Sequence, residues 1–277
     1  MRKSGRRHLP HHRQTPATRH LLSVEFAGGG GPPWTTKQPS PLCSSRRSSR
    51  GSGTRIRGSA PGDTSPEHLH LLAKQLGTAL AACHDISLER VPQRLWANAW
   101  SEPPPTPPTA ADCYTPLREL GGVEHLAEAA SVGPAARRTL LEALEAVDAM
   151  DPVLAHGDLY ENHLRLDGSG TLTGILDWGF GGVLSPLVDF TCSQWDSASW
   201  AAEGSYGELR RHLWTAYADH RSVPLPTWEQ VHLALTAFDI VALGPESRTH
   251  YYWQKSPEWQ AARRAAARDS LRAQLVE

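Results

Sequence analysis

Apolar residues recur at steps of three and four along most of the chain after residue 64, which is the spacing of one face of an α-helix. Pro66 suits a first helical turn, and Glu67 stands three residues after Thr64, as in a capping box. The pattern therefore predicts a helix over about 66–84. Its apolar face consists of Leu69, Leu72, Leu76, Leu80 and Cys83.

The same periodicity predicts five further helices, near residues 122–131, 134–149, 206–220, 227–242 and 256–275. Strand patterns are short and lie between these helices, at 153–155, 164–166 and 171–176. The last two flank the turn Asp167–Gly170, whose Asp-Gly pair is typical of a hairpin. Because the outer ends of hairpin strands lie side by side, residues just before 164 and just after 176 are expected at one end.

Residues 1–63 differ in kind from the rest. They are rich in Arg, Ser, Gly and Pro. Beyond the fragment Leu21–Phe26 they show neither the helical nor the strand periodicity of apolar residues. They hold twelve Lys/Arg and only two acidic residues, whereas 64–277 holds 16 basic and 27 acidic residues. Such a segment buries too little surface to offset its ordering entropy, so we predict a disordered basic segment over 1–63 and a folded unit over 64–277. An organellar transit peptide, a nucleic-acid contact and an out-of-frame translation product remain alternatives for the basic segment.

The cysteines, the apolar stretches and a proline run indicate the cellular environment of the chain and the nature of one connection. The four cysteines have no C-x-x-C pairing, which favours a reducing, cytoplasmic environment over a zinc ribbon or a disulfide framework. No stretch approaches the ~20 apolar residues of a membrane span, so we expect no membrane partner. The proline run 103–108 is stiff and extended and is read as a surface spacer.

The candidate chemistry flanks the predicted hairpin. Residues 156–159 read H-G-D-L and His163 follows; Asp177 and Trp178 come after the second strand, and Pro186 and Asp189 lie beyond. The two acids Asp158 and Asp177 are 19 positions apart. Phosphoryl transfer needs such a pair, one carboxylate to meet the attacking hydroxyl and another to hold magnesium against the nucleotide phosphates.

In these motifs and their order the chain resembles the aminoglycoside phosphotransferase family, which has a protein-kinase-like fold. The resemblance implies that Asp158 is catalytic and braced by His156, that His163 and Asp177 bind Mg²⁺, and that Asp189 is structural. It also implies ATP and a small-molecule substrate as partners, with nucleic acid not expected. Most of the family has Asn at the second metal position. Members acting on macrolides resemble this chain in having His there, a softer ligand than oxygen.

The resemblance covers about 64–277 and implies an α+β fold, a mostly helical C-terminal lobe with a small β-hairpin and no recognisable N-terminal lobe. The family's N-terminal lobe supplies a phosphate-covering loop and a lysine. Here Gly28–Gly31 is followed by two prolines, and Lys37 has no strand pattern around it, so no cofactor-binding residue is assigned. Truncation or frameshift, a lobe completed by a partner, and a degenerate member used for binding all remain open.

The sequence thus predicts an ATP-dependent O-phosphotransferase acting on a small hydroxylated molecule, with little or no activity of this chain alone. Two alternatives remain. The lobe could be a non-catalytic binding module, or His156, Asp158, His163 and Asp177 could be the ligands of a metal-dependent hydrolase.

Overall fold

The protein is mostly helical, with two small antiparallel sheets, in the part of the chain that the structure describes. The structure is a computed structural model. It describes residues 24–26, 34–35, 66–96, 106–112, 117, 121–159, 163–191, 207–243 and 256–276. The predicted capping residues Thr64 and Ser65, residues 103–105 of the predicted spacer 103–108, and three of the four cysteines lie outside these residues.

Helix α1 (Pro66–His84) forms where the apolar repeat predicts it and packs along α5 (Glu208–His220). Gly77 lets the two helices approach closely. A Cβ atom added there would overlap the carbonyl oxygen of Leu213 and lie 2.9 Å from the backbone nitrogen of Tyr217. The glycine is therefore required by packing, although glycine weakens a helix interior by about 1 kcal/mol relative to alanine.

Four other helices complete the helical part together with a short helix α4 (Val188–Thr191). They are α2 (Val123–Ala129), α3 (Pro134–Asp148), α6 (Trp228–Ala242) and α7 (Pro257–Val276). Helix α6 packs on α2, α3 and α7 and is the most buried of them. A capping box starts α6: the Thr227 hydroxyl accepts from the backbone N–H of Gln230, and the Gln230 side chain accepts from the backbone N–H of Thr227.

One buried carboxylate ties three helices together. Asp239 on α6 accepts a 2.9 Å hydrogen bond from Arg210 on α5 and a 3.0 Å hydrogen bond from Arg263 on α7. All three side chains are almost completely buried. Removing the carboxylate would leave two buried guanidinium groups without their counter-charge. Loss of one partner of a buried ion pair is strongly destabilising because the remaining charge is uncompensated.

The predicted hairpin is present as β4 (Leu164–Leu166) and β5 (Leu172–Ile175). Its turn is held by Asp167, whose Oδ1 accepts from the backbone N–H groups of Ser169 at 2.9 Å and Thr171 at 3.0 Å. These hydrogen bonds satisfy turn amides that the strands cannot reach. The hairpin turn thus follows from its Asp-Gly sequence.

Three strand pairings go beyond the sequence prediction. Strand β3 (Val153–Ala155) pairs antiparallel with β6 (Gly182–Leu184), a strand that the apolar pattern did not predict. Within 1–63, β1 (Val24–Phe26) and β2 (Trp34–Thr35) extend the hairpin sheet in the order β2-β1-β5-β4. The predicted disorder of 1–63 otherwise falls outside the described residues. In that described part, no helix is both long and apolar enough to cross a membrane.

Candidate functional site

The loop that follows β3, which begins at His156, is anchored to Asp189 by hydrogen bonds. Oδ2 of Asp189 accepts a 2.9 Å hydrogen bond from the backbone N–H of His156, and Oδ1 accepts a 2.7 Å hydrogen bond from that of Gly157. Asp189 lies on α4 and is completely buried. A short helix thus fixes the backbone of the loop through one side chain.

A second hydrogen-bonded layer supports Asp189. The Nε2–H of His84, at the end of α1, donates to Oδ2 of Asp189 at 3.1 Å, and its Nδ1 accepts from the Tyr217 hydroxyl at 3.0 Å. Burial alone would raise the pKa of Asp189, but the hydrogen bonds that it accepts from the His84 side chain and the His156 backbone outweigh it and lower that pKa. Asp189 therefore stays ionised, as an acceptor of three hydrogen bonds.

Gly157 makes the turn of this loop possible. Its φ angle is +78°, and a Cβ atom there would lie 2.7 Å from the carbonyl oxygen of Phe180. A side chain would face both an unfavourable backbone conformation and a collision with the segment after Asp177. The glycine of the H-G-D-L motif thus allows the loop to lie close to the segment after Asp177.

His156 braces the loop as a neutral imidazole. Its Nε2–H donates to the carbonyl oxygen of Leu176 at 2.8 Å, and its Nδ1 accepts from the backbone N–H of Asp158 at 3.3 Å. Burial lowers the pKa of His156, with a smaller opposing effect of the Asp189 charge. Its ring also meets the Trp178 ring edge-on at 4.9 Å. Both nitrogens of His156 are therefore engaged with the backbone.

His163 joins the loop to the hairpin. Its Nδ1–H donates to the carbonyl oxygen of Asp158 at 2.8 Å, and its own carbonyl accepts from the backbone N–H of Leu176 at 2.7 Å. The first bond directs Nε2 away from the loop, and Nε2 lies 3.8 Å from Oδ2 of Asp177. The ends of the hairpin thus place a ring nitrogen beside a carboxylate.

Asp177 has a left-handed backbone, with φ of +59° and ψ of 61°, directly after β5. Such angles are uncommon for a residue with a side chain and concentrate at functional sites. The side chain is 46% exposed, whereas Trp178 beside it is buried and donates from Nε1 to the carbonyl oxygen of Ile175 at 3.1 Å. The carboxylate of Asp177 is therefore open to solvent, next to a tryptophan that is fixed by burial and a hydrogen bond.

Asp158 is the third candidate residue, beside His163 and Asp177. Its side chain is half-buried, and burial raises its pKa; the charge of Asp177 adds to this rise, and that of His163 opposes it. His163 thus contacts the backbone of Asp158 and lies beside the carboxylate of Asp177. The site roles of the three residues remain predictions.

His163 and Asp177 offer one nitrogen and carboxylate oxygens to a divalent cation. No cluster of three or more His, Cys, Asp or Glu side chains suited to a metal occurs among the described residues. The donor set fits an ion that keeps water and takes its other ligands from substrate phosphates, as Mg²⁺ does. It does not suit a closed structural zinc site, which needs four protein ligands.

Some site features could not be assigned from the sequence. His84 is one of them, because its partners Asp189 and Tyr217 lie 105 and 133 residues away along the chain. No local pattern marks such long-range partners. Tyr160, Glu161, Asn162 and Asp196 lie outside the described residues.

The chain belongs to the phosphotransferase enzyme family, whose model matches residues 52–234. Among solved structures, a macrolide 2'-phosphotransferase type I is 21% identical, with a TM-score of 0.35. That match covers 72% of this chain and 60% of the other, so the chain spans about three fifths of that protein's length. Comparison with curated proteins gives no match.

Proposed function

We propose that the chain carries the catalytic and metal-binding residues of an ATP-dependent O-phosphotransferase that acts on a small hydroxylated molecule. The observation that carries the proposal is the junction between loop and hairpin, where Asp158, His163 and Asp177 meet. Family membership supports phosphoryl transfer in general. The roles below follow from the contacts of each side chain.

Asp158 is the residue we assign to the acceptor hydroxyl. Its backbone is fixed on both sides, because its N–H donates to His156 and its carbonyl accepts from His163. Its partly buried carboxylate has a raised pKa, which makes it a better proton acceptor than an exposed aspartate. It can therefore orient the hydroxyl and take its proton as the phosphoryl group transfers.

His163 and Asp177 are the residues we assign to Mg²⁺. Because the Nδ1–H of His163 is committed to the Asp158 carbonyl, Nε2 is the ring nitrogen left to bind an ion, and it lies beside Asp177. When bound, the ion would neutralise charge on the nucleotide phosphates. His156 and Asp189 act on the backbone of the loop and have no assigned contact with substrate.

The hydrolase alternative receives no support from this geometry. It requires His156 as a metal ligand, but both ring nitrogens of His156 are hydrogen-bonded to the backbone. Freeing either nitrogen would leave a buried carbonyl or amide without its partner. A non-catalytic binding module remains the other outcome of the test.

We expect this chain alone to turn over slowly. No described residue is assigned to a phosphate-covering loop or its lysine, and phosphoryl transfer depends mainly on positioning, which can supply ~7–11 kcal/mol. Each ~1.4 kcal/mol lost is a tenfold loss of rate. Addition of an N-terminal lobe from a family member is expected to raise turnover.

The test is a screen of hydroxylated small molecules with Mg-ATP, using Asp158→Asn as the blank and Asp151→Asn, an exposed aspartate, as the matched control. The proposal expects phosphorylated product from wild type and Asp151→Asn, with the N-terminal lobe supplied, and none from Asp158→Asn. Equal product from Asp158→Asn would refute the catalytic assignment. Mg-ATP binding without any transfer would favour the binding module.

A further inference from the structure

A cavity of about 370 Å³ opens between the end of α6 and the first half of α7. None of the residues assigned to phosphoryl transfer lines it. Three side chains supply its polar groups, those of Gln260, Arg264 and Arg268, at successive turns of α7. The remaining wall is apolar and consists of Leu243, Pro257, Ala261 and Ala265.

None of the described residues that line this cavity carries a charge opposite to that of its arginines. Arg264 and Arg268 stand four residues apart, where like charges destabilise a helix. Neither makes an ion pair with any described residue. Two other arginines of α7 differ, since Arg263 binds Asp239 and Arg272 binds Asp269.

Arg264 is also poorly satisfied. Its Nε is buried and has no hydrogen-bond partner among the described residues. Burial lowers the pKa of Arg264, and the charge of Arg268 lowers it further. Both effects would be relieved by an anion in the cavity.

We propose that Arg264 and Arg268 form a binding site for a phosphate monoester. Two guanidinium groups one turn apart present two planar forks, which match the three terminal oxygens of a phosphate better than the two of a carboxylate. A phosphate monoester carries about −1.5 to −2 charges at neutral pH, which complements two arginines. Ala261 and Ala265 leave room between the arginines, and Leu243 and Pro257 offer apolar surface to the organic part.

This site is independent of the proposed phosphotransfer chemistry. It involves neither Mg²⁺ nor Asp158, His163 or Asp177. Ligand binding at the arginines can therefore be measured without metal, and failure of either proposal leaves the other standing.

The experiment is calorimetric titration of the full chain, without divalent cations and at constant ionic strength, with phenyl phosphate and with inorganic phosphate. We expect saturable binding of phenyl phosphate with a Kd on the order of 1 mM or tighter. Inorganic phosphate should bind more weakly, because it cannot use the apolar wall. Equal affinity for the two would show a site for free phosphate and contradict the monoester assignment.

Variants locate the binding. Arg264→Gln and Arg268→Gln should each weaken binding about tenfold or more, the size expected when one charge-assisted pair is lost. Arg272→Gln, on the same helix, and Asp177→Asn should bind as wild type does. Arg264→Lys and Arg268→Lys keep the charge but lose the fork, so they should bind with intermediate affinity. They also test the site if a Gln variant fails to fold.

Two results would overturn the proposal. One is the absence of saturable phenyl phosphate binding to the folded wild-type chain. The other is equal weakening by Arg272→Gln and by the cavity variants, which would show only non-specific attraction to a basic helix. Loss of binding in Asp177→Asn would place the phosphate at the hairpin site instead, and would equally contradict the proposal.

Discussion

The backbone N–H of Gly157 donates a 2.7 Å hydrogen bond to Oδ1 of Asp189, 32 residues further along the chain. The bond ties the loop that presents Asp158 to a buried helix. Since the carboxylate is fully buried and also binds His84, the loop cannot shift without breaking several hydrogen bonds. The loop that carries Asp158 is therefore positioned by the core and not by its own sequence.

Replacing this carboxylate should destabilise the protein. Asp189→Asn removes one charged acceptor, so at least one of its three donors becomes buried and unsatisfied. We expect a loss of about 2–4 kcal/mol in the free energy of unfolding, measured by urea denaturation. The control is Asp151→Asn, at an exposed position, which should change stability by less than about 0.5 kcal/mol. Equal effects of the two changes would contradict the role given to Asp189.

The lowered pKa of Asp189 predicts that the stability of the protein depends on pH. The pKa of Asp189 is lowered in the folded protein, so its contribution is fully present above the unfolded-state pKa of about 3.9 and is lost as pH falls below it. The stability difference between wild type and Asp189→Asn should therefore shrink as pH falls below ~4. Urea midpoints at a series of pH values would measure it. A difference that stays constant, or grows, in acid would contradict the lowered pKa.

Gly77→Ala should destabilise the protein, although alanine is the better helix former. The added methyl group would collide with the backbone of α5 at Leu213, and relief requires the two helices to separate. We expect a net loss of about 1–3 kcal/mol, the usual cost of overpacking. Gly168→Ala is the matched control, because a Cβ there meets nothing within 4 Å. A thermal melt that shows Gly77→Ala at or above wild-type stability would refute the packing argument.

The capping box at the start of α6 gives a smaller, local prediction. Thr227→Ala removes the acceptor of the Gln230 amide and should cost about 0.5–2 kcal/mol. Thr227→Ser keeps the hydroxyl and should retain most of that stability. Urea denaturation of both variants would check it, and indistinguishable midpoints would show that the cap contributes nothing.

Local signals explain which parts of the fold the sequence predicts. The helices over 66–84 and 134–148 and the hairpin over 164–175 follow from apolar periodicity and an Asp-Gly turn, which short windows contain. Strand 182–184 has no such signal, because every residue in it is buried and its partner lies some thirty residues earlier. Long-range pairing, not local pattern, decides that strand.

The candidate site shows the same division. The approach of His163 to Asp177 is predictable because a hairpin brings its two ends together, whereas the site roles of Asp158, His163 and Asp177 stay predictions. The support that His84 and Tyr217 give to Asp189 is not predictable from the sequence, since it depends on how α1 and α5 pack around Asp189. The helical register that places those side chains is set by features such as Gly77, whose role is visible only once its neighbour is known.

The most direct test of the central claim is Mg²⁺-dependent ATP binding, measured by calorimetry on wild type and three variants. We expect binding that requires Mg²⁺ and is weakened about tenfold or more in His163→Ala and in Asp177→Asn, with little change in Asp158→Asn, which is assigned to the acceptor hydroxyl. ATP binding that is independent of Mg²⁺, or that is unchanged in both His163→Ala and Asp177→Asn, would contradict the assignment of this junction as the metal–nucleotide site.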